Sequence, residues 1–216
     1  MIDFLQKGGP FMWVLLGCSL LATAVFLERA SYFHRVSVRV GDLLRGLSNL
    51  IASGRFAEAV SESASTPGPA ARVVHAVLLK YELPREELKD IAQDAGQLEM
   101  PAIERNLGLL ATLVYIAPLI GLLGTVVGLL QTFITISTGG GYATTLEIAT
   151  GIYASLIVTA GGLAVAIPAL LAHQYLSSRV SDLVHDMERA GIEVVSMVVE
   201  SKRAIQKSES SHVGQS

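Results

Sequence analysis

The chain has 216 residues, of which 51% are hydrophobic and 16% charged, with a formal net charge of −3. That is too much apolar material for one soluble core of this size, and the near-neutral balance offers no basic patch for nucleic acid. One cysteine, Cys18, excludes an intrachain disulfide, and the five histidines show no metal-ligand spacing.

Three stretches are apolar enough to span a bilayer: Phe11–Leu27, Leu107–Ile136 and Ile152–Leu171. A crossing helix needs roughly 17–25 residues at about 1.5 Å each. The first is at the short end, so Met1–Leu5 is expected to lie in the interface, and residues 1–27 form an N-terminal segment with the first transmembrane helix. Ala22-Thr23-Ala24 resembles a signal cleavage site, but the approach is nearly uncharged and Glu28-Arg29 follows the apolar run directly. The stretch therefore reads as an anchor.

Residues 28–106 read as a helical insert. Val36, Val40, Leu43, Leu47, Leu50 and Ile51 recur at one-face spacing, and Gly54 ends that run. Arg55–Ser63 suits a short helix, which Thr66-Pro67-Gly68-Pro69 breaks. Val73, Val74, Val77 and Leu78 mark another helix. Pro84 with Glu86 and Glu87 suits a helix start. From there one helix, interrupted only by Pro101, is expected to run into the second span at 107–136, a length of about 80 Å.

Residues 137–151 read as an external loop and the start of helix three, and 152–175 as the third span. Leu176, Val180, Leu183, Met187, Val194 and Val198 continue an apolar stripe, so a C-terminal helix is expected over 176–207, packed on the insert helices. Residues 208–216 are small and polar and are expected to form a disordered tail. Only Lys7 precedes the first span, whereas Lys and Arg recur between spans one and two and after span three, and the 137–146 loop has none. The positive-inside rule places the N-terminus and that loop outside, and residues 28–106 and 176–216 in the cytoplasm, as in a multi-pass inner-membrane protein.

The chemistry lies in the second and third spans. Gly121, Thr125, Gly128, Thr132 and Thr135 share one helix face, and Gly151, Ser155, Thr159, Gly162 and Ala166 share another. Small residues on such faces, Gly124 among them, let membrane helices approach closely. The same hydroxyls at Thr125, Thr159, Ser155 and Thr132 suit an ion or water pathway. Both readings stand on the sequence, and the faces are expected to pack subunits into a closed ring. Pro118 and Pro168 each remove a backbone donor and mark expected helix bends. His173, at the inner end of span three, reads as structural. Glu147 is the only acid between Glu104 and Asp182, and serves either as a proton-gathering carboxylate or as a helix-start acid. No nucleophile–base pair, metal set or cofactor motif appears, so neither an enzyme nor a cofactor is expected. No internal repeat or midplane ion pair supports a small-molecule transporter.

These residues also carry a resemblance. Ala117–Gly128 resembles the second-helix motif of the MotA/TolQ/ExbB proton-channel family, and Gly151–Leu156 with Val158–Ala169 resembles its third-helix motif. Gly8-Gly9-Pro10, Met12-Trp13 and Glu28-Arg29 are similar to its first helix. The resemblance reaches to about residue 200. It implies an all-α membrane protein of three transmembrane helices with long cytoplasmic helical extensions, assembling as a pentameric ring. It further implies a pore enclosing a single-span ExbD/TolR-like partner with a transmembrane Asp, in two copies, and work on the cell envelope driven by the proton motive force. The family's pore-lining threonines fall on Thr125 and Thr159. ExbB and TolQ members carry a glutamate early in the third helix where this chain has Ala154, so a non-conducting scaffold of the same architecture is the alternative.

Overall fold

A computed structural model describes residues 9–36, 40–138 and 144–213. The interfacial segment expected before residue 9, the centre of the external loop at 139–143 and the last three residues lie outside that description. Every regular element among the described residues is helical: α1 (Gly9–Val36), α2 (Val40–Ala52), α3 (Phe56–Ser65), α4 (Pro69–Leu78), α5 (Arg85–Ile103), α6 (Leu107–Thr138) and α7 (Thr145–Val213). Helices α1, α6 and α7 are long and apolar enough to cross a membrane.

Local chemistry sets the breaks. Gly54, at φ 73°, caps α2: its N–H reaches the Ile51 carbonyl at 3.0 Å and the Arg55 N–H reaches Leu50 at 2.9 Å. This is the Schellman arrangement, in which a left-handed glycine satisfies the last carbonyls. Gly68 takes φ 122° before Pro69, which occupies the first turn of α4 where no donor is lost. The expected continuous helix from Pro84 into the second span does not form. Glu104 N–H closes the last turn of α5 on Met100 at 2.9 Å, and Asn106 then adopts φ 62° before α6 begins. Asparagine visits the left-handed region more readily than other non-glycine residues, so the break needs no glycine. The tail also departs from expectation, since α7 continues to Val213. Extending an existing helix avoids the nucleation cost that a separate segment would meet.

The chain divides into two compact units. One holds the described residues up to Ala30 with Asn106–Ser177, the three apolar helices. Within it Asn106 Nδ2 donates to Glu28 Oε2 at 3.0 Å, and the rings of Phe26 and Tyr175 meet edge to face at 6.3 Å. Helix α1 lies over α6 and α7 through Phe11, Met12 and Leu15, packed with Ala117, Val158 and Ala166.

The other unit holds Ser31–Arg105 and the chain from Ser178. Its core is built from Leu47, Ile51, Val73, Val74, Val77, Leu78 and Leu88 with Val194 and Val198 of α7, all 1% exposed or less. Polar ties close it. Ser201 donates to the Ile51 carbonyl at 2.6 Å, Lys202 Nζ reaches the Glu82 and Leu83 carbonyls at 2.7 and 3.0 Å, and Arg72 forks onto Glu99. Burial carries most of this stability, because exposed pairs such as Arg55–Glu58 contribute about 0–1 kcal/mol each. Leu47→Ala should cost about 2–5 kcal/mol. Glu58→Ala should leave thermal unfolding of the detergent-solubilised protein nearly unchanged. Equal losses from the two would contradict the apolar core as the source of stability.

Candidate functional site

The small-residue faces of α6 and α7 meet each other within one chain. A Cβ added at Gly124 would lie 2.5 Å from Val158 Cγ1, and one at Gly128 2.5 Å from Ser155 Oγ. At Gly162 it would lie 2.7 Å from the Ala117 carbonyl oxygen and 3.0 Å from Gly121 Cα. Gly151 likewise receives the Thr132 side chain. The paired positions run in opposite directions along one antiparallel register: Thr132 with Gly151, Gly128 with Ser155, Gly124 with Val158, Gly121 with Gly162. Within the chain, the two faces cover each other at these positions. Periodicity identifies the face of a helix but not what covers it, and here the neighbouring span does so.

At the centre of that register sit two hydroxyls. Thr125 Oγ1 lies 3.1 Å from the Gly121 carbonyl and 3.0 Å from the Ser155 carbonyl across the interface. Thr159 Oγ1 lies 3.2 Å from the Gly121 carbonyl, and the two hydroxyls hydrogen-bond one another. Two O–H groups thus share two carbonyls and each other. Either Thr159 donates to Thr125, which donates to a carbonyl, or Thr125 donates to Thr159, which donates to Gly121. Rotation of the hydroxyls alone interconverts these arrangements, with no movement of the helices.

The other predicted site residues have different surroundings. Ser155 is buried and donates to the Gly151 carbonyl at 2.9 Å, while Thr132 donates to Gly128 at 2.9 Å. Each hydroxyl is satisfied by its own helix and fills a glycine notch on the other. Helices α6 and α7 run through Pro118 and Pro168 without ending. Glu147 is exposed in the first turn of α7, where its carboxylate accepts from the Thr144 N–H at 2.9 Å and its own N–H donates to Thr144 Oγ1 at 3.3 Å. This is a capping box, and the Thr-x-x-Glu spacing that signals it was readable in the sequence. Thr159 is twelve residues further on, about 18 Å along the helix.

Sequence reasoning missed what α1 does here. Phe11 stands against Gly124, and Met12 Sδ would lie 3.1 Å from a Cβ at Gly161. Since Phe11 is near the start of α1, the Thr125–Thr159 pair sits level with the N-terminal end of that helix. The α6–α7 hairpin continues for about 20 Å beyond Gly124.

These features define a multi-pass membrane protein whose second and third apolar helices are interlocked around a paired-hydroxyl centre. A family model described as the MotA/TolQ/ExbB proton channel family matches residues 65–189, and the chain belongs to that family. It is a family of channel subunits rather than of enzymes. The chain is 28% identical to an ExbB homolog of Methanothermobacter thermautotrophicus, across 87% of this chain and 66% of that protein. It is 34% identical to ExbB-like protein 3 of Synechocystis, across 77% of this chain and 80% of that one. It is also 42% identical to the Tol-Pal system protein TolQ of Haemophilus influenzae over a shorter stretch, 41% of this chain and 38% of that protein.

Two outcomes follow from this geometry. Gly162→Leu should force α6 and α7 apart at a cost of about 1–3 kcal/mol or more, whereas Gly17→Leu, where a Cβ meets nothing within 4 Å, should be tolerated. Thermal unfolding in detergent reads the difference. Glu147→Gln keeps a side-chain acceptor for the Thr144 N–H, so ion-driven activity should be retained in a proton-flux assay. Its loss would instead give the carboxylate a role as a proton relay.

Proposed function

We propose that this chain is the ring-forming subunit of an inner-membrane ion channel that couples the proton motive force to work on the cell envelope. Five copies surround a single-span ExbD/TolR-like partner, present in two copies, whose transmembrane Asp carries the ion past the Thr125–Thr159 level. The N-terminus faces the periplasm, and the insert with the C-terminal part of α7 faces the cytoplasm, an orientation supported by the distribution of Lys and Arg.

The observation that carries this reading is the Thr125–Thr159 hydroxyl pair, in which either side chain can donate. Hydroxyls held between two membrane spans suit a pathway in which a proton or its carrier exchanges partners without a free charge in hydrocarbon, where a charge costs roughly 2.5–3.5 kcal/mol on insertion scales. Glu147 belongs to the helix start in this reading, and Ser155 and Thr132 line the pathway only as packing residues. A second reading, a non-conducting scaffold, is favoured by Ala154 at the position where ExbB and TolQ members carry glutamate.

Thr125→Val and Thr159→Val keep side-chain shape and remove one hydroxyl each. Native mass spectrometry should give the same pentamer for both variants and the parent. Proton flux through vesicles carrying the chain and its partner should fall at least several-fold. Parent vesicles that pass no protons would support the scaffold, and loss of the pentamer in the variants would assign the hydroxyls to assembly.

A further inference from the structure

The α6 and α7 small-residue faces meet each other within the chain at Gly121, Gly124, Gly128, Gly151 and Gly162, and a ring has use for a further contact surface. The unit formed by Ser31–Arg105 and the chain from Ser178 carries one. Between α5 and α7 runs an open groove of about 540 Å³, with Ala92, Gly96 and Met100 on one wall and Met187, Gly191 and Ile192 on the other. It exists because small residues face each other there. Gly191 comes close enough to Ala92 that an added Cβ would lie 3.2 Å from its methyl, while a Cβ at Gly96 would meet nothing within 4 Å.

The two most exposed large apolar side chains described in this unit are Leu98, at 81%, and Ile192, at 73%. Ile192 stands on the groove wall. Leu98 follows Gly96 by two residues, about 200° around the α5 axis, and so lies on the flank away from the groove. Glu87, Asp90, Asp94 and Leu98 follow at spacings of three, four and four, one exposed stripe of that helix. Among the described residues none of these three acids forms an ion pair. The groove-side flank of α7 carries Arg189, Ile192, Ser196 and Arg203 at helical spacing; Arg189 pairs with Glu193 of its own helix and also feels Asp186, and Lys89 and Glu188 complete the charged lining of the groove. An exposed pair such as Arg189–Glu193 contributes little by itself, so Arg189 is held only weakly within its own chain.

A projecting leucine with acids on one flank, and a largely apolar groove with Arg189 beside Ile192 on another, are complementary but not self-complementary. Such a contact is head-to-tail, the kind that repeats around a closed ring, whereas a two-fold contact stops at a dimer. We propose that the Leu98 stripe of one copy docks in the α5–α7 groove of the next, with Leu98 against Ile192 and Asp94 facing Arg189. The proposal rests on the ring-forming reading above and names the surface that closes the ring.

The test uses the full chain with Cys18→Ala, so that introduced thiols are the only ones. Leu98→Cys and Ile192→Cys are placed on separately tagged copies, co-expressed, and treated in membranes with a short bismaleimide. Both positions are exposed, so neither substitution threatens folding. A covalent dimer carrying both tags is expected, with little from either variant alone. Asp94→Arg on the first copy should reduce that product several-fold, and Arg189→Asp on the second should restore it. A Leu98→Cys product formed with itself would overturn the head-to-tail contact. An intact ring by native mass spectrometry with no mixed dimer would overturn this surface while leaving the ring-forming reading in place. Absence of any oligomer would overturn both.

Discussion

The close approach of α6 and α7 is the constraint on which the membrane unit depends. In hydrocarbon, two apolar helices gain little from excluding lipid, so association must come from packing and from hydrogen bonds. Glycines at 121, 124, 128, 151 and 162 supply the first by giving up their side chains where the partner's backbone or a hydroxyl arrives. Thr125 and Thr159 supply the second, reaching carbonyls at 3.0 to 3.2 Å. The same approach that fixes the helices brings the two hydroxyls together. Packing and pathway are thus not rival explanations of the threonine rows: the packing creates the pair on which any pathway would act.

The other unit obeys different physics. Its helices α2, α3 and α4 are short and amphipathic, and its core is made of fully buried Val, Leu and Ile, as in a water-soluble bundle. It gains from the hydrophobic effect that the membrane unit largely forgoes. Helix α7 serves both regimes. Its first part carries Gly, Ser and Thr at the contact, and from Val180 onward the contact residues become Val, Leu and Met. That change of contact chemistry along one uninterrupted helix lies close to the boundary between the two units.

Much of this was legible in the sequence. The three spans, the ends of α2 and α3, and the buried stripe of α7 from Leu176 to Val198 follow from apolar runs, periodicity and Gly/Pro punctuation. The break at Asn106 was not, because it rests on one left-handed asparagine with nothing around it to mark a turn. The extent of α7 beyond Ser208 escaped because polar composition reports poor packing, not whether a helix already under way continues. The site was legible as two faces, but their mutual engagement was not, since a small-residue face on one helix is equally suited to the next span or to another chain. The place of Glu147 at a helix start was one of its two legible roles, whereas its Thr144 partner was written in the Thr-x-x-Glu spacing and went unread.

The fixed register between α6 and α7 also bears on how this chain tolerates changes of length. Each contact along the hairpin pairs one position on the rising helix with one on the returning helix, over several turns. Removing a single residue from the middle of α6 would turn everything on one side of it by about 100°, aiming leucines at the glycines of α7. The same deletion in the connection at 139–143 would leave every pair in register. Insertions and deletions should therefore be confined to that connection, or occur in both helices together by about seven residues, close to two full turns, so that height changes while the facing sides stay matched.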